Sequence, residues 1–108
     1  MTSRVIEVHE NSIHTIDEEV YPKVLYFTAK WCGPCQRIQS IYDQLASNHP
    51  DVKFFKIDVD KNQDLTSSFG VKSMPTFFFF KSVSEYTSFT GADPNKLDRY
   101  IRLLKNVI

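Results

Sequence analysis

The spacing of apolar residues changes along the chain between a strand-like and a helix-like period, and it predicts five strands and four helices. Short runs rich in β-branched and aromatic residues predict strands at residues 4–9, 23–28, 52–59, 76–80 and 85–90. Apolar residues three and four positions apart, preceded by capping residues, predict helices. These helices cover about residues 12–19, 35–48 and 61–69, and a stretch from Pro94 towards the C-terminus.

The order of these elements is β-α-β-α-β-α-β-β-α, which is typical of an α/β fold. Strands separated by helices are expected to run parallel, whereas the short connection 81–84 predicts an antiparallel hairpin. The runs 23–28 and 76–80 are apolar on both faces, as central strands are, while 85–90 is less apolar and belongs nearer an edge. The sequence therefore predicts one domain over residues 1–108, with helices on both faces of a mixed central sheet.

Composition and charge argue against several classes of function. The 108 residues include 13 basic and 13 acidic side chains, so the net charge is zero. This balance does not indicate a nucleic acid or an anionic membrane surface as partner. The longest apolar run, Phe77 to Phe80, is too short to span a bilayer and is better explained as a buried strand than as a ligand site. The first ten residues lack the apolar core of a signal peptide, so we expect a cytoplasmic location, where structural disulfides are rare.

Both cysteines of the chain, Cys32 and Cys35, lie at the junction of a predicted strand and a predicted helix. A Cys-x-x-Cys in this position predicts a redox dithiol. The unpaired N–H groups and the dipole of the helix N-terminus favour a thiolate at the first cysteine, and the second is expected one turn inward and shielded. The alternatives are a zinc half-site or an incidental pair. Because His9, His14 and His49 are scattered, we expect no metal site.

Four segments of the chain resemble the thioredoxin family and stand at the spacing of that family. They are Trp31-Cys32-Gly33-Pro34-Cys35, Lys56-Ile57-Asp58-Val59-Asp60, Val71-Lys72-Ser73-Met74-Pro75-Thr76 and Gly91-Ala92. The similarity covers nearly the whole chain and is greatest to cytosolic thioredoxins of eukaryotes. It implies a thioredoxin fold, in which four helices flank a mixed five-stranded sheet. It also implies a dithiol–disulfide cycle without a tightly bound cofactor, in which NADPH supplies electrons through a thioredoxin reductase.

The resemblance implies a role for each cysteine and for the residues around them. Cys32 is expected to attack a substrate disulfide, and Cys35 to resolve the mixed disulfide, which leaves the redox-active disulfide Cys32–Cys35. A cis Met74–Pro75 bond is expected to face the dithiol and to direct the Met74 backbone at an extended substrate. The site-shaping residues are expected to be Trp31, Gly33, Pro34 and Pro75, and the substrate-binding residues Trp31, Met74, Pro75, Gly91 and Ala92.

Some of these residues also have simpler interpretations. Trp31 could pack against the sheet, Gly91 could be a plain turn glycine, and Pro75 could be a turn proline that opens a strand. Taken together with their neighbours, however, these residues would form an apolar rim of small residues around Cys32, and such a rim is typical of a docking surface.

Tyr26 is the main departure from the family pattern. Most members carry at this position a buried aspartate, which acts as general base for the proton of Cys35. A tyrosine ionises at about pH 10 and is a poor base near neutral pH. We therefore interpret Tyr26 as a packed aromatic with a hydroxyl partner, and Lys56, which usually accompanies the acid, as free to reach solvent. Resolution by Cys35 is expected to be slower, or to rely on water or substrate.

Three smaller departures are expected to change shape rather than mechanism. Thr28 stands where an aromatic residue is common, and Ser40 replaces a proline that usually bends the helix after the cysteines. Ser82-Val83-Ser84 replaces the usual Asn-Gly or Asp-Gly turn.

These observations predict a monomeric protein-disulfide reductase that maintains cell redox homeostasis. Its expected partners are disulfide-containing proteins and a thioredoxin reductase. One alternative is a redox-weak binding module that uses the same docking rim. Another is a disulfide oxidant or isomerase, although such relatives usually carry histidine in place of Pro34. A third is a metal-bridged dimer through Cys32 and Cys35.

Overall fold

The computed structural model describes residues 4–9, 16 and 20–105, and the order of its elements follows the predicted α/β pattern. The strands are β1 (Ile6–Glu7), β2 (Lys23–Thr28), β3 (Lys53–Asp58), β4 (Thr76–Phe80) and β5 (Tyr86–Thr90). The helices within the described ranges are α1 (Gly33–Asn48), α2 (Gln63–Ser68) and α3 (Pro94–Lys105). The helix predicted over about residues 12–19 lies, apart from Ile16, outside the described residues.

The strands form one mixed five-stranded sheet in the order β1-β3-β2-β4-β5. β1 and β2 run parallel to β3, whereas β4 runs antiparallel to β2 and β5 antiparallel to β4. The predicted hairpin, the central β2 and the edge position of β5 are thus confirmed. The register pairs Phe27 with Thr76, so the end of β2 and the start of β4 lie side by side. The segments that follow β2 and precede β4 therefore meet at one end of the sheet.

Each face of the sheet carries its own hydrophobic cluster, because neighbouring residues of a strand point to opposite faces. On β4, Phe77 and Phe79 join the cluster under α1 and α3, while Phe78 and Phe80 contact the cluster under α2. We call these the α1–α3 cluster and the α2 cluster. Tyr26 of β2 belongs to the α1–α3 cluster. Burial on both faces explains why β2 and β4 have almost uninterrupted apolar sequences, as predicted.

Several elements begin or end a few residues away from their predicted bounds. β1 is limited to the two residues that pair with β3, rather than covering residues 4–9. α1 begins at Gly33, because Cys32 is its N-cap and Pro34 occupies the first turn, where a missing N–H breaks no helical bond. α1 continues without interruption past Ser40. Gly70 follows α2 with φ +66°, the left-handed conformation in which a glycine commonly ends a helix. No helix in the described ranges is long and apolar enough to cross a membrane.

Candidate redox site

A short turn after β2 delivers the cysteines to the start of α1. The backbone N–H of Cys32 donates to the carbonyl of Ala29 over 3.2 Å. The side-chain amide of Gln36, one turn into α1, donates to the carbonyls of Ala29 at 3.1 Å and Lys30 at 3.3 Å. The N–H of Gln36 donates to the Cys32 carbonyl at 3.2 Å, which makes Cys32 the N-cap. Gln36 therefore fixes the turn that holds Cys32 at the helix end.

Cys32 and Cys35 form a disulfide, with their Cα atoms 5.2 Å apart. The N–H of Cys35 donates to the Cys32 sulfur over 3.2 Å, in the manner of a side-chain N-cap. This donor and the positive end of the α1 dipole favour negative charge on Cys32 once the disulfide is reduced. Cys35 is fully buried, as predicted, and Cys32 retains 6% of its surface. Only a small part of the Cys32 side chain is therefore accessible from solvent.

The loop before β4 forms a second wall of the site. The Met74–Pro75 bond is cis, as the family resemblance implied. The Met74 carbonyl oxygen lies 3.6 Å from the Cys32 sulfur, and the hydroxyl of Thr76 donates to the Ser73 carbonyl at 2.6 Å. Met74 is half-buried and Pro75 is buried. The backbone of Met74 therefore faces Cys32 across a short gap.

The connection between β5 and α3 forms a third wall. Gly91 has φ +118°, a backbone conformation that favours glycine, and its N–H donates to the Pro75 carbonyl at 2.9 Å. Ala92, the next residue, packs half-buried against the α1–α3 cluster. Gly91 is therefore more than a free turn, because its hydrogen bond ties the third wall to the second.

Trp31 lies at the open side of the site. Its side chain is 67% exposed, so the packing interpretation of Trp31 is wrong. The indole N–H donates to a carboxylate oxygen of Asp60 over 2.9 Å, and the Asp60 N–H in turn donates to the Asp58 side chain at 3.0 Å. An exposed ring in one fixed orientation beside Cys32 presents apolar surface at the rim.

Beneath the cysteines lies Tyr26, which is fully buried. Its hydroxyl donates to the carbonyl of Cys35 over 3.0 Å. The ring stacks on Phe77, with centroids 5.0 Å apart and planes at 10°, and its centroid lies 4.6 Å from that of Tyr42. Burial raises the pKa of Tyr26 above its usual value of 10.0, although a hydrogen bond with Thr28 acts in the opposite direction. Tyr26 is a packed aromatic with a hydroxyl partner, as we interpreted it from the sequence.

The structure brings together every residue that the sequence singled out around the cysteines. Three further contacts were not assigned from the sequence: the amide clamp of Gln36, the bond of Asp60 to Trp31, and the position of Arg37. A β-carbon added to Gly33 would lie 3.6 Å from Nη1 of Arg37, so this guanidinium lies beside the active-site turn. Asp60 stood in a family segment and could have been suspected. For Gln36 and Arg37, the pattern indicated only solvent-facing positions of a helix.

A cysteine pair at a helix N-terminus, opposite a cis-proline loop, defines a site for thiol–disulfide exchange. Among the described residues, no group of three or more His, Cys, Asp or Glu side chains could hold a metal ion.

Comparisons with known proteins agree with this class of site. The family model described as Thioredoxin matches residues 4–103, and the chain belongs to the thioredoxin family. It is 43% identical to a thioredoxin of Ophiophagus hannah over 79 residues, which are 73% of this chain and 75% of that protein. It resembles the crystal structure of thioredoxin NaTrxh from Nicotiana alata with a TM-score of 0.87 and 29% identity, covering 98% of this chain and 96% of that one.

Some relatives are longer proteins that contain a matching domain. The TPR repeat-containing thioredoxin TDX of Arabidopsis thaliana is 42% identical over 78 residues, which are 72% of this chain but only 20% of that protein. The family and the Cys32–Cys35 pair together support thiol–disulfide reductase activity, carried by a redox-active disulfide.

Proposed function

We propose that this chain is a protein-disulfide reductase, in which residues 1–108 act as one thioredoxin domain with Cys32 attacking and Cys35 resolving. The observation that carries the proposal is the position of Cys32. It caps α1, accepts the Cys35 N–H at 3.2 Å, and lies 3.6 Å from the Met74 carbonyl on the opposite wall. The helix end activates this sulfur, and the backbone of Met74 faces it. Cys32 can therefore attack a disulfide carried by an extended segment that lies along that backbone.

The proposed cycle transfers two electrons in two exchange steps. The Cys32 thiolate attacks one sulfur of a substrate disulfide, forms a mixed disulfide and releases the other sulfur as a thiolate. Cys35 then loses its proton and attacks the Cys32 sulfur, which releases the second substrate thiolate and forms the Cys32–Cys35 disulfide. The two released thiolates take up two protons, so the substrate gains two electrons and two protons and the protein loses the same.

The three walls would bind the substrate on either side of its disulfide. The Met74 N–H and carbonyl would pair with the substrate backbone in the manner of strand addition, and Pro75 would set the direction of this edge. Trp31, Gly33, Pro34, Gly91 and Ala92 would supply a rim that gives shape and apolar contact. The half-buried Met74 and the 67% exposed Trp31 support this assignment.

Closing the cycle requires an external donor of two electrons, for which we propose NADPH acting through a thioredoxin reductase. A cytoplasmic location belongs to the same proposal, because a reducing dithiol cycle needs a compartment that keeps thiols reduced. One chain carries all residues of the proposed site, which supports action as a monomer.

The test is the precipitation of insulin chains in dithiothreitol, with and without the protein. We expect a clear acceleration over dithiothreitol alone, and none with the Cys32→Ser variant as matched control. A redox-weak binding module would give no acceleration with either protein. A reduction potential well above the cytosolic glutathione poise would instead identify an oxidant or isomerase. Zinc or iron in stoichiometric amount in the purified protein would identify a metal-bridged dimer.

A further inference from the structure

Arg37 is an exposed cation on the first turns of α1, on the same side of the helix as Gly33 of the active-site turn. Residues four apart in a helix lie one above the other. The geometry agrees, because Nη1 of Arg37 lies 3.6 Å from the position that a β-carbon of Gly33 would occupy. The guanidinium is therefore directed towards the cysteines rather than away from them.

The same side chain lines a depression of about 210 Å³ between α1 and the third wall of the site. Its other lining residues are Ile38 and Ile41 from α1, and Ala92 and Pro94 from the connection into α3. Ala92 belongs to the proposed substrate rim. The depression therefore continues the rim away from Cys32, with an apolar floor and one charged side.

The charge of Arg37 is not neutralised within the described part of the chain. No salt bridge within 4.0 Å involves it there. Asp93 lies in the chain between the lining residues Ala92 and Pro94, and its carboxylate accepts the Lys96 N–H at 3.0 Å and thus caps α3. Asp60, on the Trp31 side, accepts the indole N–H. Both rim carboxylates are thus held by hydrogen bonds of their own, while Arg37 presents five N–H donors to whatever enters the depression.

We propose that Arg37 is a specificity-determining residue, which favours substrate disulfides with an aspartate or glutamate close to the attacked cysteine. The substrate segment would lie along the Met74 backbone and extend over the depression, where its carboxylate meets the guanidinium. Guanidinium and carboxylate match as a planar pair of donors and acceptors. The inference rests on the proposed reductase function and specifies its substrates; the exchange chemistry is the two-step cycle described above.

The test uses symmetric disulfide dimers of a short peptide, Gly-Ser-X-Cys-X-Ser-Gly, in which X is glutamate, glutamine or lysine. The reduced protein is mixed with each dimer, and its oxidation is followed through the fluorescence of Trp31, the single tryptophan of the chain. Each rate constant is divided by that of dithiothreitol with the same peptide, which removes the intrinsic reactivity of the disulfide. We expect glutamate to exceed glutamine by about 2- to 5-fold at low salt, as exposed ion pairs allow, and lysine to be slowest.

Arg37→Gln should bring the normalised glutamate-to-glutamine ratio to about one, while Arg102→Gln should leave the ratio of the unmodified protein intact. Arg102 is a matched control, because it lies in the last turn of α3 and pairs with Asp98 at 3.1 Å. The preference should also fade from about 0.01 M to 1 M salt, as the Debye length shortens from about 30 to 3 Å.

Three outcomes would overturn the inference. One is the absence of a glutamate preference in the unmodified protein, and another is the same preference in Arg37→Gln. The third is an equal loss of rate for all three peptides in Arg37→Gln, since this would mean that Arg37 activates Cys32 instead of selecting substrates. Reduction of the glutamine peptide tests the proposed function separately, and its failure would refute both.

Discussion

Cys32 and Cys35 lie 5.2 Å apart, but their surroundings differ in kind. Cys32 is contacted by polar backbone groups from two separate segments: the N-terminus of α1 with the Cys35 N–H at 3.2 Å, and the Met74 carbonyl at 3.6 Å. Hydrogen bonds of Gln36 and Gly91 hold these segments in place. The helix N-terminus with its Cys35 N–H therefore stabilises negative charge on Cys32 before a substrate arrives, while the Met74 backbone offers an edge for the substrate.

Cys35 is buried in the α2 cluster, and the side chain that hydrogen-bonds to its backbone is the aromatic Tyr26. Tyr26 reaches the Cys35 carbonyl and not its sulfur. Because burial raises the pKa of Tyr26, the phenol stays protonated near neutral pH and cannot take up the thiol proton. Within the described residues, no side chain hydrogen-bonds to the Cys35 sulfur. With the proposed roles of the two cysteines, this comparison leads us to expect that the fold prepares attack by Cys32, whereas resolution by Cys35 takes its base from water or substrate.

The largest expected effect comes from removing one sulfur at a time. Cys32→Ser should lower insulin reduction by about 10³-fold or more, because no nucleophile remains at the helix end. Cys35→Ser should still attack but should stop at the mixed disulfide, since nothing is left to resolve it. Mass spectrometry after incubation with an oxidised substrate should find a stoichiometric adduct with Cys35→Ser. An adduct with Cys32→Ser and none with Cys35→Ser would reverse the assigned roles.

The next largest effect is expected from giving Cys35 a base. In Tyr26→Asp, a carboxylate with a pKa raised by burial should take up the thiol proton, directly or through a water in the space that the ring leaves. Resolution should become faster by up to about 10²-fold, with a rate that rises with pH through the carboxylate pKa. Stopped-flow reduction of insulin from pH 5 to 9, in steps of about one unit, measures both effects.

Tyr26→Phe is the matched control for this variant. It keeps the stacking on Phe77 and loses the hydroxyl bonds to the Cys35 carbonyl and to Thr28, so it should cost about 1 kcal/mol of stability and leave the rate and its pH profile unchanged. Tyr26→Asp should cost about 3–5 kcal/mol, because it removes a buried ring. If Tyr26→Asp folds and shows the rate and pH profile of the unmodified protein, the lack of a base does not limit resolution.

The difference between the two cysteines could be predicted only in part from the sequence. Continuous apolar runs predicted β2 and β4 well, because burial on both faces leaves few polar positions. The motif around the cysteines identified the site, and Tyr26 in place of the usual aspartate indicated that Cys35 had lost its base. β1 was overestimated, because pairing with β3 rather than composition ends it after Glu7.

Contacts between distant side chains could not be predicted. Trp31 and Asp60 are 29 residues apart, and their hydrogen bond depends on how the end of β3 lies beside the turn after β2. The clamp by Gln36 and the direction of Arg37 depend on rotamers that a pattern of polar positions does not specify. Sequence spacing gives the face of a helix, whereas the contacts of a long side chain on that face are set by its neighbours.

A smaller effect should distinguish Gly91, in the third wall of the site, from Gly33, in the turn between the two cysteines. Gly91→Ala should cost about 1–3 kcal/mol, because alanine is strained at φ +118°. It should also slow insulin reduction, since the bond from Gly91 to Pro75 holds the substrate edge. Gly33→Ala is the control for stability, because its β-carbon meets only the Arg37 side chain at 3.6 Å, in a helix that favours alanine. Urea unfolding measures the stability of both variants. Equal losses of stability in Gly91→Ala and Gly33→Ala would contradict the role of the Gly91 backbone.

The smallest effect concerns the buried phenols of Tyr26 and Tyr42 and appears only in alkali. Burial raises the pKa of Tyr26 above 10.0, and raises that of Tyr42 well above it. Above about pH 10 the unfolded chain loses these protons while the native state keeps them, so the free energy of unfolding should fall with rising pH. Each buried phenol should contribute about 1.4 kcal/mol per pH unit until its native pKa is reached.

Tyr42→Phe and Tyr26→Phe should each make the fall of stability with pH less steep, because each removes one titrating proton. Each variant also loses a hydroxyl bond, which in Tyr42→Phe is the bond to the Phe55 carbonyl at 2.7 Å. Urea unfolding between about pH 9 and 11, one unit either side of the usual phenol pKa, gives the slope. A slope that neither substitution changes would mean that these phenols ionise in the native state. Tyr26 could then act as a base in alkali, and the contrast between a prepared Cys32 and an unassisted Cys35 would hold only near neutral pH.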